Sequence, residues 1–513
     1  MQRVDGYRDL GRYNARLFGV ANDGVTDVTT AVHALRDLAG VGAQIYFPTG
    51  DYLVGPLTAN VANQHWVIEP GATFTLKAAS NNQLLNISAA GVTIEGGLWD
   101  QNTANQTGSF KGILVNADDV TLDHVRLTNS GSYGIWIFNK NRARLRHCTV
   151  TDTLSTGIFA QLTASGTGDR NDLVIESCHV DRSSISAASV AGAGISVQGY
   201  STAPYEQIGA SIMNNTVRMP TNPTSAGAIC IETFGLAPSS RVIGNSCFGG
   251  SMGVSADRSD ESVIQGNIIF GPKSYGIELA SSQFCTVAGN TVNGNALLPN
   301  GISVNNASNG YNAITGNVVM GLAASGRGIK VTNSPFTTIS GNVVKLVATG
   351  YAVELISSDD CAISGNALDG QSTANKAVML DTVSGISVTG NRMKDFTEHG
   401  VLIFANGGEA LNTITVFGNA VTNLNSVVAT SLSGGSTIGV EVRAMGNAGH
   451  TRNSRSTDVL NLNADLRELW GTGDPESVVT AGVGSIYHRT DGGSATCLYI
   501  KESGTSNTGW VAK

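Results

Sequence analysis

VIGNSCF (242–248), VIQGNIIF (263–270), TVAGNTVN (286–293), AITGNVVM (313–320), TISGNVVK (338–345), AISGNALD (362–369), SVTGNRMK (387–394) and TVFGNAV (415–421) are eight versions of one pattern. A short strand-like segment meets Gly-Asn and continues into a second segment. The asparagines Asn245, Asn267, Asn290, Asn317, Asn342, Asn366, Asn391 and Asn419 are 22 to 28 residues apart. A recurring period of this size marks a solenoid. A further segment repeats in phase: YGIELA (275–280), NGISVN (300–305), RGIKVT (327–332), YAVELI (351–356), KAVMLD (376–381) and HGVLIF (399–404). These alternate with period two, as strands do, and no helical spacing intervenes. At about 3.3 Å per residue, one period closes a coil of two or three strands, and stacked coils lie about 4.8 Å apart. The pattern predicts a right-handed parallel β-helix. The asparagines read as turn residues that tolerate left-handed dihedrals and bond one another from rung to rung.

Composition agrees. The chain has 513 residues, 63 glycines, 11 prolines, 14% charged residues and a net charge of −8. Few charges and abundant Gly fit an all-β solenoid, which lengthens without starting a new core. The acidic balance argues against nucleic acid as a partner. No apolar run reaches about 18 residues, so no membrane partner is expected. The start has no apolar signal core. Seven cysteines are an odd number without framework spacing. Alternation turns Cys148 and Cys178 inward and their neighbours His147 and His179 outward. They therefore read as buried thiols in a reduced fold rather than metal ligands. Cys285 and Cys361 share a column three rungs apart, too far to bridge. No cofactor and no metal are expected.

The expected divisions are a lead-in and helix cap over 1–60, the β-helix with its groove over 61–424, a last rung over 425–449, and a C-terminal β module over 450–513. Asp27 can cap a helix beginning near Val28, with Val32, Leu35, Leu38 and Ala39 on its apolar face. Phe18-Gly19, the run Asn22 to Asp27 and the run Ile45 to Tyr52 resemble the N-terminal signature of the pectate-lyase-like superfamily. That resemblance implies a β-helix and covers hydrolases, lyases, transferases and phage tailspikes, so it does not choose an activity. Residues 484–513 carry GSIYHRTDGG, LYIKESG and NTGW. They are similar to the terminal module of phage tail proteins. This resemblance implies a homotrimeric tailspike of the virion tail, held by a baseplate or tail adaptor. Its hairpin strands look too few to bury a core alone.

Before Val242 the Gly-Asn turn degenerates. These rungs follow from KGILVN (111–116), YGIWIF (133–138), TGIFAQ (156–161), AGISVQ (193–198), GAICIE (227–232) and MGVSAD (252–257). Long connections follow at 162–172, 183–193, 199–209 and 220–227, as expected for loops walling a groove. Alternation points Trp136, Phe159, Glu232, Asp257 and Glu278 outward. Glu232 and Asp257 read as one column, Glu278 as the next. Stacked like charges repel, so stability does not ask for three acids there. Glycoside hydrolysis does ask for two carboxyls in different protonation states. A retaining pair would be Glu232 with Asp257; a pair including Glu278 would invert. Trp136 and Phe159 read as a sugar-stacking platform with Tyr200, Tyr205 and Phe234 beside them. Arg258 could bind a carboxylated sugar. Asp152, Asp181 and Glu206 are the alternative acids. The resulting expectation is a depolymerase acting on a bacterial surface polysaccharide as an endo-glycoside hydrolase. A lyase on a uronic-acid polymer and a non-enzymatic adhesin are the alternatives.

Overall fold

A computed structural model describes residues 8–9 and 12–513 except 164–169, 186–191, 201–205, 222, 224, 348, 407–409, 412, 423–425, 434–436, 439–441, 446–467 and 505. The chain forms two compact units, Met1–Cys285 and Thr286–Lys513. Together they carry about 15 turns of parallel β-solenoid.

In the first unit each rung has three short strands. The first face stacks Ile113–Val115, Ile135–Phe138, Ile158–Gln161, Ile195–Gln198, Ile229–Phe234, Met252–Asp257 and Tyr275–Ala280. Each pairs in parallel with the next. The second face includes Thr121–Asp123, Arg144–Arg146 and Val174–Glu176, and the third Arg126–Thr128, Thr149–Thr151 and His179–Asp181. Three-residue arms bury only their middle side chain, such as Leu122, Leu145 and Ile175. Full burial of one such side chain contributes about 1.5–3 kcal/mol. The stack supplies this repeatedly along one axis, so irregular loops between rungs need not disturb the core.

The turn between second and third faces is where the Gly-Asn pairs fall. Glycines 244 and 266 have φ near +65°, and the asparagines after them are buried. Asn245 donates from its backbone N and from Nδ2 to Asn267 Oδ1, at 2.9 and 3.0 Å. The second unit repeats this from Asn290 through Asn317, Asn342, Asn366 and Asn391 to Asn419, every link between 2.9 and 3.0 Å. Each rung thus satisfies the amides that the turn would otherwise bury unpaired. Earlier in the chain the ladder position holds Val125, Cys148 and Cys178, all buried.

The helix Thr29–Ala39 buries Val32, Leu35 and Arg36. The N-cap position falls to Val28, without a side-chain cap, and Asp27 just before it accepts from Thr29 N at 3.0 Å. Leu38 departs from the expected apolar face and is exposed. Arg36 takes the inner place because its guanidinium reaches the Thr58 carbonyl. All seven cysteines are free, six of them buried. The Cys148 thiol is pushed well up by its bond to Cys178 and by burial, and burial pushes Cys285 and Cys361 up to about 12.

The C-terminal sheet differs from expectation. Leu498–Lys501 pairs antiparallel with Ile486–Arg489 and with Trp510–Ala512, while Glu468–Gly471 runs parallel to Ile486–Arg489. These four strands close a small core of Leu469, Ala481, Tyr487, Tyr499 and Trp510. Lys501, fully buried, donates to Ser506 O at 2.9 Å and to Thr508 O. The Lys501 and Trp510 motif residues therefore build the module's own interior. Among the described residues no helix is long and apolar enough to cross a membrane.

Candidate active site

The register of the first face corrects the expected columns. Ser196 pairs with Glu232, Glu232 with Ser255, and Ser255 with Glu278. Gln198, Phe234, Asp257 and Ala280 form the neighbouring column. Glu232 and Glu278 thus share a column two rungs apart, and Asp257 lies diagonal to both. The cause is Cys230. It occupies the position filled by Gly194 one rung earlier and Gly253 one rung later, and it is buried rather than outward. Alternation has period two, so a two-residue offset keeps every side chain on its expected face while moving it one column. The shared column that made Glu232 and Asp257 a retaining pair does not exist. One rung and two residues put Asp257 about 8 Å from each glutamate at Cα.

Two serines that the sequence reading passed over hold the glutamates. Ser196 Oγ donates to Glu232 Oε2 at 2.6 Å and Ser255 Oγ to Glu278 Oε2 at 3.1 Å. Gln198 Nε2 adds a 3.4 Å contact to Glu232. Burial pushes Glu278 up; the Ser255 bond opposes this, and the nearby Asp257 charge reinforces it. Burial also raises Asp257, opposed by the adjacent Arg258 at 3.4 Å. Arg258 lies over the Phe234 ring, 4.6 Å from its centroid. Tyr275 is raised too, first by burial and then by Glu278. Half-buried carboxyls that resist ionisation are what acid catalysis requires, and they cluster at functional sites.

The aromatic expectations divide. Trp136 is half-buried, with Lys111 Nζ 4.5 Å over its ring and its indole N–H buried without a partner. Phe159 is 4% exposed and lies 4.7 Å from Tyr133, so it supports the cluster from beneath rather than offering a sugar face. Tyr133 is the outer ring that the sequence reading missed. Tyr200 is half-buried; Tyr205 lies outside the described residues. Of the alternative acids, Asp152 is held by Ser184 Oγ at 2.5 Å and Thr128 Oγ1 at 3.3 Å. It lines a cleft of about 270 Å³ with Asn102, Asn129, Leu154 and Ile185. Asp181 caps its own turn through Ser183. That cleft contains none of Glu232, Asp257 or Glu278.

A second cluster forms on the preceding rungs. Asp123, His124 and His147 each offer one ligand atom within 4.8 Å of the others. Alternation turns His147 outward without giving it a role, and it gives no signal for Asp123 or His124.

Fold and site together define a parallel β-solenoid with a carboxylate-bearing outer face. The profile described as rhamnogalacturonase A/epimerase, pectate lyase-like, matches residues 13–217. The profile described as periplasmic copper-binding protein (NosD) matches 174–351 and 293–438. The chain carries a pectate-lyase-like domain over its earlier rungs, and its later rungs match the second profile as a β-solenoid. It is 28% identical over 150 residues to mannuronan C5-epimerase AlgE2 of Azotobacter vinelandii, covering 24% of this chain and 15% of that protein. It is thus related to a small part of that enzyme's length. Tailspike protein 3 of bacteriophage CBA120 aligns over 97% of this chain and 68% of its own, at 12% identity and a TM-score of 0.49. An alginate lyase, AlyF-OU02, aligns over 74% of this chain and 84% of its own, at 14% identity and a TM-score of 0.47. These two likenesses concern the fold alone.

Proposed function

We propose that this protein is a phage tailspike that binds a bacterial surface polysaccharide along the first face and depolymerises it as an endo-glycoside hydrolase. The observation that carries the chemistry is the raised, half-buried Glu278 beside Asp257. Glu278 is the acid: burial keeps its proton available for the leaving oxygen. Asp257, raised by burial against the opposing pull of the adjacent Arg258, is the base that activates water. Their diagonal placement leaves room for that water, which favours inversion. Glu232, fixed by Ser196, flanks the same chain and orients it. Trp136, Tyr133 and Phe234 offer apolar faces for sugar rings. The tail-protein motif at 484–513 supports the virion setting and a homotrimer, with the module joining copies and a tail adaptor holding them.

The second reading is elimination or epimerisation at a uronic acid. It is favoured by the half-buried Arg258 guanidinium on this face, which would neutralise a sugar carboxylate, and by the relatives' activity, mannuronan C5-epimerisation. Product analysis on capsules from a strain panel separates the readings. Hydrolysis gives new reducing ends without new ultraviolet absorbance. An unsaturated, absorbing product means a lyase, and altered uronate stereochemistry with no chain shortening means an epimerase. Binding with none of these means an adhesin.

A further inference from the structure

His124 and His147 occupy the left-handed turn position, at φ 54° and 52°. The next two rungs fill the same position with Ser177 and Asn214, at φ 54° and 56°, and later ones with Gly244 and Gly266. Glycine is relaxed there, whereas a side chain carries backbone strain. Two successive rungs nonetheless place imidazoles in that position, stacked 4.6 Å apart at 24°. Both Nδ1 atoms face a single oxygen, Asp123 Oδ1, at 2.8 Å from His124 and 3.0 Å from His147. The His124 and His147 side chains are 63% and 50% exposed. Hydrogen bonds this open to water contribute little, so they do not by themselves account for two imidazoles set on one carboxylate oxygen.

We propose that Asp123, His124 and His147 form a divalent transition-metal site, taking zinc(II) or copper(II) through two imidazole nitrogens and one carboxylate oxygen. Imidazole and carboxylate donors suit these ions. Bonds of about 2.0–2.1 Å set tetrahedral ligand edges of roughly 3.3 Å, close to the two nitrogen–oxygen separations already present, with the third edge within 4.8 Å. The open side leaves the remaining positions to water or to an anionic ligand. On the second face Asp123 has Glu95 before it and Arg146 after it. Arg146 leans away toward Glu176, at 3.9 Å, and Glu95 is engaged by His65 at 2.8 Å. The cluster lies outside 174–438, so the copper of the NosD profile's description does not carry this proposal.

The test is titration of the full chain with zinc chloride and with copper(II) chloride, by calorimetry and electron paramagnetic resonance. The comparison is the His124→Gly/His147→Gly double variant, whose turns then match the later rungs and keep the fold. The wild type should bind one equivalent of metal, and copper should show two coupled nitrogens. Removing two ligands should weaken binding by at least about 100-fold, since even loss of an outer partner costs 10–100-fold. Absence of one-equivalent binding in the wild type, or equal binding in a folded double variant, overturns the site. Wild-type Tm rising with zinc while the variant's does not would agree with it; equal rises would overturn it.

Discussion

Glu278 in the first unit and Glu354 in the second occupy the same place in near-identical strands, YGIELA and YAVELI, yet their surroundings are opposite. On the rung before Glu354 stand Arg327 and Lys330, whose nitrogens lie 3.0 and 4.0 Å from its carboxylate. On the rung before Glu278 the equivalent residues are Met252 and Ser255. Glu354 is buried and neutralised, which is how a solenoid accommodates an acid for structure. Glu278 has a hydroxyl and a second acid instead, and its proton is held by burial. The fold therefore tolerates a carboxylate in this column, and what distinguishes the candidate centre is that no cation stands at the two positions facing Glu278 on the preceding rung, whose Arg258 pairs with Asp257 instead.

That contrast can be broken in several ways. The largest expected effect is on turnover in the first unit. Asp257→Asn should lower kcat by about 10²–10⁴-fold, the usual contribution of an acid–base group, while polymer binding stays close to wild type. Comparable kcat in a folded variant, followed by reducing-end release, would remove Asp257 from the mechanism.

The largest stability effect belongs to the second unit. Asn342 accepts from Asn317 N and Nδ2 and donates to Ile314 O and Asn366 Oδ1, all at 2.9–3.0 Å. Asn342→Leu strands several of these groups and should cost about 3–5 kcal/mol in denaturant unfolding, with turnover of the folded fraction retained. A loss of activity without a loss of stability would contradict the structural reading of the ladder.

This ladder was legible in the sequence because a period of about 24 residues repeats the same turn requirement, and the same physics acts at every rung. The candidate centre was legible only in part. Outwardness of Glu232, Asp257 and Glu278 follows from alternation, but their columns do not, because Cys230 stands in a glycine position and a two-residue offset leaves alternation unchanged. Alternation points Phe159 outward but gives direction, not cover; Tyr133, two residues before the repeating strand, supplies the cover. The Asp123, His124 and His147 cluster needs the turn geometry as well. Nothing in strand periodicity says that left-handed residues of adjacent rungs converge on one carboxylate.

A smaller effect should follow from importing the second unit's cation. Ser255→Lys places an ammonium where Lys330 stands beside Glu354. It should move the alkaline limb of the kcat profile down by roughly 1–3 pH units, the usual effect of an opposite charge at close range. An unmoved limb would mean that Glu278 does not titrate in turnover.

The smallest effect is on stability. The folded value of Glu278 is raised, so its stability contribution is complete below its unfolded value and is lost as pH rises through the folded value. Glu278→Gln should therefore raise Tm at neutral pH and leave it nearly unchanged at about pH 4. Calorimetry showing the reverse order would contradict the burial argument.

The most direct measurement sets Glu278→Gln against Glu354→Gln on one polysaccharide that the wild type shortens, with kcat and Kd measured for both. The account predicts a loss of about 10²-fold or more in kcat for Glu278→Gln with Kd nearly unchanged, and near-wild-type kcat for folded Glu354→Gln. Equal turnover in the two variants would contradict it.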